Sequence, residues 1–384
     1  MTLPLDLPAD GHFVLRVWLP EVNGPAVARI DGETVVDITS SQHPTMQALL
    51  DTDDPVEAAF GAVGRPVGPL SEIAQNSREA PAPDVPHILA PPDLQAIKAS
   101  GVTFASSMIE RVIEEQAKGD PRKAEAIRAR CTEIIGDSLS AVTPGSEPAA
   151  RLKDALISEG VWSQYLEVGI GPDAEVFTKA QPMASVGQGA SVGLHPISTW
   201  NNPEPEVVLA INGKGQIKGA ALGNDVNLRD VEGRSALLLG KAKDNNAACS
   251  IGPVLRLFDE GFGMSDVETA ELDLRVEGED GFTLKGHSSM AKISRTPASL
   301  VAQTCGRHHQ YPDGFFLFLG TLFAPTEDRD TPGEGFTHKM GDVVHIHSPK
   351  LGTLTNTVRL STECPEWTFG TAALMRNLAA RGLL

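Results

Sequence analysis

The sequence predicts an α+β protein rich in β-strand, with a small N-terminal α+β domain ahead of a larger one. Three features carry that expectation. From about residue 162 onward, short β-prone runs alternate with Gly, Pro and Asn turns, which argues against repeated βαβ units. Between the prolines and that point the apolar spacing is helical. The segment 81–95 is dense in proline, so it reads as an extended linker between an N-terminal domain (1–80) and a catalytic domain (96–384). A length of 384 residues fits two domains.

The elements follow in order. "FVLRVWL" and "ARIDGETVVDI" alternate, and Asp31-Gly32 interrupts the second as a hairpin turn. "TMQALL" is a short helix. "SSMIERVIEEQAKGDPRKAEAIRARCTEIIG" reads as two helices split at Gly119-Asp120-Pro121, with Pro121 at a first helical position. In the first of them Met108, Val112 and Ile113 face inward and Glu114-Glu115 outward. "AARLKDALISEG" is a further helix. The β-prone runs are "SQYLEVGIG", "EVVLAING", "QIKGAALGNDV", "CSIGPVLRLF", "AELDLRVEG", "FTLKGHSS", "FFLFLGTLF", "VVHIHSP" and "LTNTVRL", and the chain closes on a helix.

Composition excludes several classes. Hydrophobic residues make up 41% of the chain, enough for a packed core. A net charge of -18 argues against nucleic acid and against an anionic membrane surface. No apolar stretch approaches the roughly 20 residues that span a bilayer. The N-terminus lacks a basic region and an apolar core, so it is not read as a signal peptide. Cys131, Cys249, Cys305 and Cys364 are scattered without a CxxC pair, which suits a reducing cytosol and gives no zinc motif. The expectation is a cytoplasmic protein.

"NNPEPEVVLAING" places Glu204 and Glu206 on one face of a strand, because strand side chains alternate with period two. If the chain reverses near Lys214-Gly215, Asp225 returns opposite Glu204. Three converging carboxylates suit a hard divalent cation such as Mg²⁺. The alternative on spacing alone is a solvated strand edge.

Three segments then matter together: "NNPEPEVV", "GNDVNLRD" and "KAKDNNAACSIGP". Asp225 lies 19 residues after Glu206; Lys243 lies 18 after Asp225 and ten before Pro253. This pattern resembles the fumarylacetoacetate hydrolase superfamily, over roughly residues 95 to 360. The resemblance implies a mixed β-sheet roll with flanking helices, Glu204, Glu206 and Asp225 as ligands of Mg²⁺ (or Mn²⁺), and usually a homodimer.

Hydrolases of that superfamily activate water with a His-Glu dyad in a stretch resembling G-x-N-Y-x-x-H-x-x-E. Here the stretch is "GVTFASSMIE", with Glu110 kept and Ser107 at the histidine position. A serine hydroxyl is no general base near neutrality. The replacement resembles the 2-keto-3-deoxy-pentonate dehydratase branch, as does Glu232 where many hydrolases carry glutamine. "ERVIEEQAKGD" and "GVWSQYLEVGIGPDAEVFTK" resemble the 2-keto-3-deoxy-xylonate enzymes of oxidative, non-phosphorylative breakdown of pentoses such as D-xylose. The resemblance implies metal-dependent dehydration of a 2-keto-3-deoxy sugar acid to α-ketoglutarate semialdehyde. The rival is a C–C bond hydrolase of an acylpyruvate or diketo acid. No nucleotide cofactor is expected, since "GKGQIKG" lacks the dinucleotide glycine order.

Further site residues follow from the same resemblance. Glu175, just before the V-F-x-K run, is the favoured acid or base; otherwise it is a solvated strand residue. Lys243 binds the substrate carboxylate or shuttles a proton if burial lowers its pKa, with Lys241 as rival. Ser106 or Ser107 bonds a substrate hydroxyl, or caps a helix starting at Met108. Arg229 pairs with the substrate, or with Asp230 and the metal-site carboxylates. Thr355 resembles a family position near the substrate. His308, His309, His338, His345 and His347 lack ligand spacing and read as structural.

Overall fold

The structure, a computed structural model, describes residues 3–118, 120–124, 127–129, 139, 142–160, 162–321, 323, 325, 327–333 and 335–384. Residues 121–124 and 127–129 are helical as expected; Cys131 and the rest of that predicted helix lie outside the described residues.

The N-terminal strands are β1 (Phe13–Leu19), β2 (Gly24–Asp31), β3 (Thr34–Asp37), β4 (Arg65–Pro69) and β5 (His87–Leu89). Next come β6 (Ala96–Gly101), β7 (Glu175–Ala180), β8 (Ser191–Leu194), β9 (Pro205–Ile211), β10 (Ile217–Asp225) and β11 (Cys249–Leu257). The last are β12 (Glu271–Glu277), β13 (Thr283–Ser289), β14 (Phe315–Phe318), β15 (Val343–Ser348) and β16 (Gly352–Leu360). They form two sheets. The larger runs β4-β3-β2-β1-β11-β10-β9-β14-β6-β7, with β5 added on β1, and the smaller runs β13-β12-β15-β16-β8.

The hairpin expected at Asp31-Gly32 joins β2 to β3, with Gly32 at φ 59°. β1 pairs with both β5 and β11, so sheet hydrogen bonds link the N-terminal strands to the rest of the chain across the proline-rich segment. Asp93 of that segment accepts the Met46 and Gln47 N–H groups, which anchors the short helix Met46–Leu50.

β9 explains why its sequence is apolar without alternation: every residue is buried. Val207, Leu209 and Ile211 meet Leu274, Val276, Val344, Ile346, Leu354 and Val358 of the smaller sheet in one core cluster. Val208 and Ala210 belong to a second cluster, with Met46, Leu49, Leu50 and Ala59 of the N-terminal helices. Among the described residues no helix is long and apolar enough to cross a membrane.

Three expectations need correction. "SQYLEVGIG" is not a strand but a helix, Gln164–Ile170, capped by the Ser163 side chain. Its buried residues Tyr165, Leu166, Gly169 and Ile170 have helical spacing, and three of its residues, Tyr165, Val168 and Ile170, are strong β-formers only by type. The helix expected from Met108 begins at Ala105 and runs to Ala117. Glu114 of that helix points inward at 2% exposure, because Arg111 and Arg229 neutralise it there.

Gly223 of β10 is packed so closely that an added Cβ would lie 2.3 Å from the Phe318 ring and 2.5 Å from a Val208 methyl. Gly223→Ala is therefore expected to destabilise the protein by about 1–3 kcal/mol in urea unfolding. Unchanged stability would contradict this close packing.

Candidate active site

The site sits where β9 and β10 begin and end. The pairing Asn224↔Pro205 and Gly223↔Glu206 sets Asp225 against Glu204, and the Asp225 N–H donates to the Glu204 carbonyl at 3.0 Å. A register irregularity between Ile217 and Gly219 lies at the far end and leaves this pairing intact. Glu204, Glu206 and Asp225 are each at most 4% exposed. One carboxylate oxygen from each lies within 4.8 Å of the others, the sole such set of His, Cys, Asp or Glu side chains among the described residues.

Cations surround the three carboxylates. Lys243 Nζ lies 2.7 Å from Glu204 Oε2 and 3.3 Å from Asp225 Oδ1. Lys179 Nζ lies 2.7 Å from the same Asp225 oxygen and donates to the Lys243 carbonyl at 2.8 Å. Arg111 Nη2 donates to Glu204 Oε1 at 2.6 Å. Among the described residues Glu206 has no cation at this range; its Oε2 accepts the Gly320 N–H at 2.6 Å. Gly320 is required there: its φ is 92°, and a Cβ would lie 2.1 Å from Thr103 Oγ1.

The electrostatics follow. Burial, reinforced by Asp225 and Glu204, pushes Glu206 well above the usual carboxylate range. Burial alone would also raise Asp225, but Lys179 and Lys243 hold it low. Burial works against the charge on Lys243, yet Asp225, Glu204 and Glu232 hold its pKa above that of an ordinary lysine. Beside the free carboxylates Lys243 is thus held as a cation, and the lowered pKa that the proton-shuttle expectation needed is not found.

The residues present fit a divalent cation. The donor set is all carboxylate oxygen, and buried Asp225 Oδ1, though close to two ammonium groups, makes no well-directed hydrogen bond. Glu204, Glu206 and Asp225 are the side chains that would hold it. Around them lies a cavity of about 20 Å³, room for an ion or a water, also lined by Ser107, Arg111, Glu175, Phe177, Glu232 and Thr321. A larger cavity of about 330 Å³ sits among β1, β5 and residues 183–191 and contains none of these carboxylates.

The other expected residues divide. Glu175 of β7 lines the cavity beside Lys243, and burial first, then Glu204 and Asp225, raise its pKa. Ser107 also lines it, while its hydroxyl donates to the Phe104 carbonyl at 2.8 Å and accepts the Phe104 N–H at 3.3 Å. The hydroxyl thus caps the helix from its third residue, with Phe104 as the cap position. Ser106 is exposed and does not line the cavity. Glu110 stands outside the cavity, paired with Arg128 and Arg229. Arg229 reaches neither Asp230 nor the triad; it bonds Glu114 and Glu110 and lies 4.3 Å from the Trp200 ring. Asp230 instead accepts from Ser198 and Thr199. The Thr355 hydroxyl pairs with His345 on the smaller sheet, outside the cavity. His338 is buried against Asp342, a structural role as expected.

Sequence reasoning missed three residues and gave a fourth no role. Lys179 shares a face of β7 with Glu175 and Phe177 by period-two spacing, which was a usable signal. Arg111 and Glu114 carry no motif and emerge only from the fold. Glu232 is pushed up to about 7 by burial, with Glu204 and Glu114 adding to the effect and Arg111 and Lys243 offsetting it.

Similarity to known proteins agrees with this geometry. Residues 171–359, which carry the mixed sheets and the carboxylate triad, match the family described as fumarylacetoacetate (FAA) hydrolase C-terminal. Through that segment, just under half of its length, the chain is similar to the fumarylacetoacetate hydrolase family. It is 30% identical over 194 residues to a probable 2-keto-3-deoxyxylonate dehydratase of Haloferax volcanii, covering 50% of this chain and 63% of that one. It is 29% identical over 185 residues to the 2-dehydro-3-deoxy-D-arabinonate dehydratase of Saccharolobus solfataricus, covering 48% and 58%. The match thus spans less than two thirds of either relative. Among solved structures, 2-keto-3-deoxy-D-arabinonate dehydratase complexed with magnesium and 2,5-dioxopentanoate superposes with a TM-score of 0.62 at 20% identity, over 90% of this chain and 98% of that one. A fumarylacetoacetate hydrolase from Exiguobacterium antarcticum gives 0.57 at 14% identity, over 91% and 99%. These structures share the fold.

The Glu232 shift has a testable sign. Unfolded, its carboxyl ionises near the ordinary value of 4.5; folded, it keeps its proton to about 7. Stability from this group is therefore present below the unfolded value and lost as pH rises to about 7. Glu232→Gln removes that loss. In the metal-free protein it should match the parent near pH 4 and exceed it near pH 8 by on the order of 1–3 kcal/mol, read by thermal melts. Equal melting at both pH values would refute the shift.

Proposed function

We propose that the chain is a magnesium-dependent hydro-lyase that dehydrates 2-keto-3-deoxy-D-xylonate to α-ketoglutarate semialdehyde and water, in non-phosphorylative pentose breakdown. The observation that carries this reading is one buried cavity holding Glu204, Glu206 and Asp225 together with Glu175 and Lys243. Support comes from the dehydratases it resembles, and from the relative described with magnesium and 2,5-dioxopentanoate.

A bound divalent cation would polarise the 2-keto group and so acidify the C3 protons. Lys243, held charged, neutralises the substrate carboxylate or the oxygen that gains charge. Glu175, whose burial raises its pKa and so makes it a stronger base than an exposed carboxylate, takes a C3 proton. The C4–O bond then breaks, the departing hydroxide takes a proton, and water leaves with a C3=C4 double bond in place; loss of a C5 proton and protonation at C3 give the C4=C5 enol, which tautomerises to the 2-keto aldehyde. Admission of a five-carbon acid requires Arg111 and its neighbours to swing away from the small cavity. Mn²⁺ substitutes for Mg²⁺ in this scheme, and the enzyme works in the cytosol as a homodimer.

The hydrolase alternative needs a base to activate water. Ser107 holds the position where the family's histidine is expected, and no described residue lining the cavity is a histidine. This favours the dehydratase.

Semialdehyde formation from 2-keto-3-deoxy-D-xylonate should require Mg²⁺, stop with EDTA and return on adding Mg²⁺. Glu204→Gln should lower kcat/KM by about 100-fold or more. Turnover that ignores EDTA, or pyruvate release from acylpyruvates without dehydration, would sink the proposal.

A further inference from the structure

The cavity holds one acceptor that the scheme above leaves unused. Glu232 is 3% exposed and lines the same cavity as Glu175, Lys243 and the triad. Its Oε2 is sealed from solvent and accepts no hydrogen bond among the described residues. Arg111 Nη1 approaches that oxygen to 3.1 Å as an ion pair, but the guanidinium is committed elsewhere. It donates to Glu114 Oε2 at 2.7 Å and to Glu204 Oε1 at 2.6 Å. A buried carboxylate oxygen without a donor is expensive to keep.

Two further observations narrow its use. Glu232 is outside the group of side chains whose oxygens converge on one ion, so it is not a fourth ligand. Its backbone is also fixed. The short helix Arg229–Glu232 is closed by the Glu232 N–H to the Leu228 carbonyl and the Gly233 N–H to the Arg229 carbonyl. A Cβ on Gly233 would lie 3.0 Å from the Glu114 carbonyl oxygen, so this turn rests directly on the neighbouring helix. The backbone that carries the carboxylate is therefore held in place, and what Oε2 lacks is a well-directed donor.

We propose that Glu232 accepts a hydrogen bond from a substrate hydroxyl beyond C3, and so makes the site selective for hydroxylated 2-keto acids over plain ones. This rests on the dehydratase reading, since a 2-keto-3-deoxy sugar acid carries such hydroxyls and pyruvate carries none. A site built to bond a hydroxyl rejects analogues that lack it, because its buried polar group is then left unpaired. Glu232 is thus a specificity residue, distinct in role from Glu175.

The test separates two readouts on the Mg²⁺-loaded enzyme: KM for 2-keto-3-deoxy-D-xylonate, and the Kd of pyruvate by calorimetry. Glu232→Leu should raise KM about 30-fold while pyruvate binding changes less than about twofold. Glu232→Gln, which keeps an acceptor oxygen, should recover most of the KM. Equal weakening of substrate and pyruvate, or no change in either, overturns the proposal. Failure of the parent enzyme to form semialdehyde overturns the dehydratase reading and this inference with it. Parent turnover with an unmoved KM in Glu232→Leu overturns this inference alone.

Discussion

Buried negative charge is the constraint around which this site is built. Glu114, Glu204, Glu206, Asp225 and Glu232 are each at most 4% exposed, against the buried cations Arg111, Lys179, Arg229 and Lys243. Taking ions out of water is costly unless each finds a partner. The partners are unevenly shared: Glu114 and Asp225 sit among cations and have lowered pKa values, while Glu206 and Glu232 are left short and have raised ones. The shortfall falls on two residues with different outlets. Glu206 belongs to the triad, where a divalent cation would supply the missing charge. Glu232 stands apart from it.

The N-terminal strands are part of the same frame. β11 lies between β1 and β10, so the first strands of the chain brace the strand that ends in Asp225. Helices Met46–Leu50 and Pro55–Phe60 then cover the face of the sheet that the smaller sheet leaves open. What the linker-like composition of 81–95 concealed is β5, whose His87–Leu89 pairs with β1. Proline density signals extended backbone, and an extended segment beside an open strand edge can join a sheet.

The sequence revealed the triad because period-two spacing and one tight turn are local rules. Glu204 and Glu206 share a face by alternation, and "NGKGQ" sets which residue returns opposite. The same rule puts Lys179 on the face of β7 that carries Glu175 and Phe177. Helical residues were harder to assign. The Ala105–Ala117 helix starts on an apolar cap residue, Phe104, so the usual polar signal falls two residues late, at Ser106-Ser107. Glu114 reads as solvent-facing by charge; its burial is balanced by Arg111 three residues earlier and by Arg229 from a segment more than a hundred residues away. Long-range ion pairs of this kind have no sequence spacing to betray them. Thr355 failed for a related reason: its strand belongs to the other sheet, and its hydroxyl is spent on His345.

Burial of β9 on both faces has a kinetic side. Backbone amides in such a strand exchange with solvent only when most of the molecule opens, so β9 should belong to the last cooperative unit to unfold. Glu204 and Glu206 sit at its entrance and inherit that rigidity. The helix carrying Ser107 and Arg111 packs instead into a smaller apolar cluster of its own, which we expect to open more readily. One wall of the cavity is thus tied to global stability and the opposite wall to local stability. A molecule of this construction can admit a substrate by motion of the helix alone, and the three carboxylates need not lose their spacing while it does so.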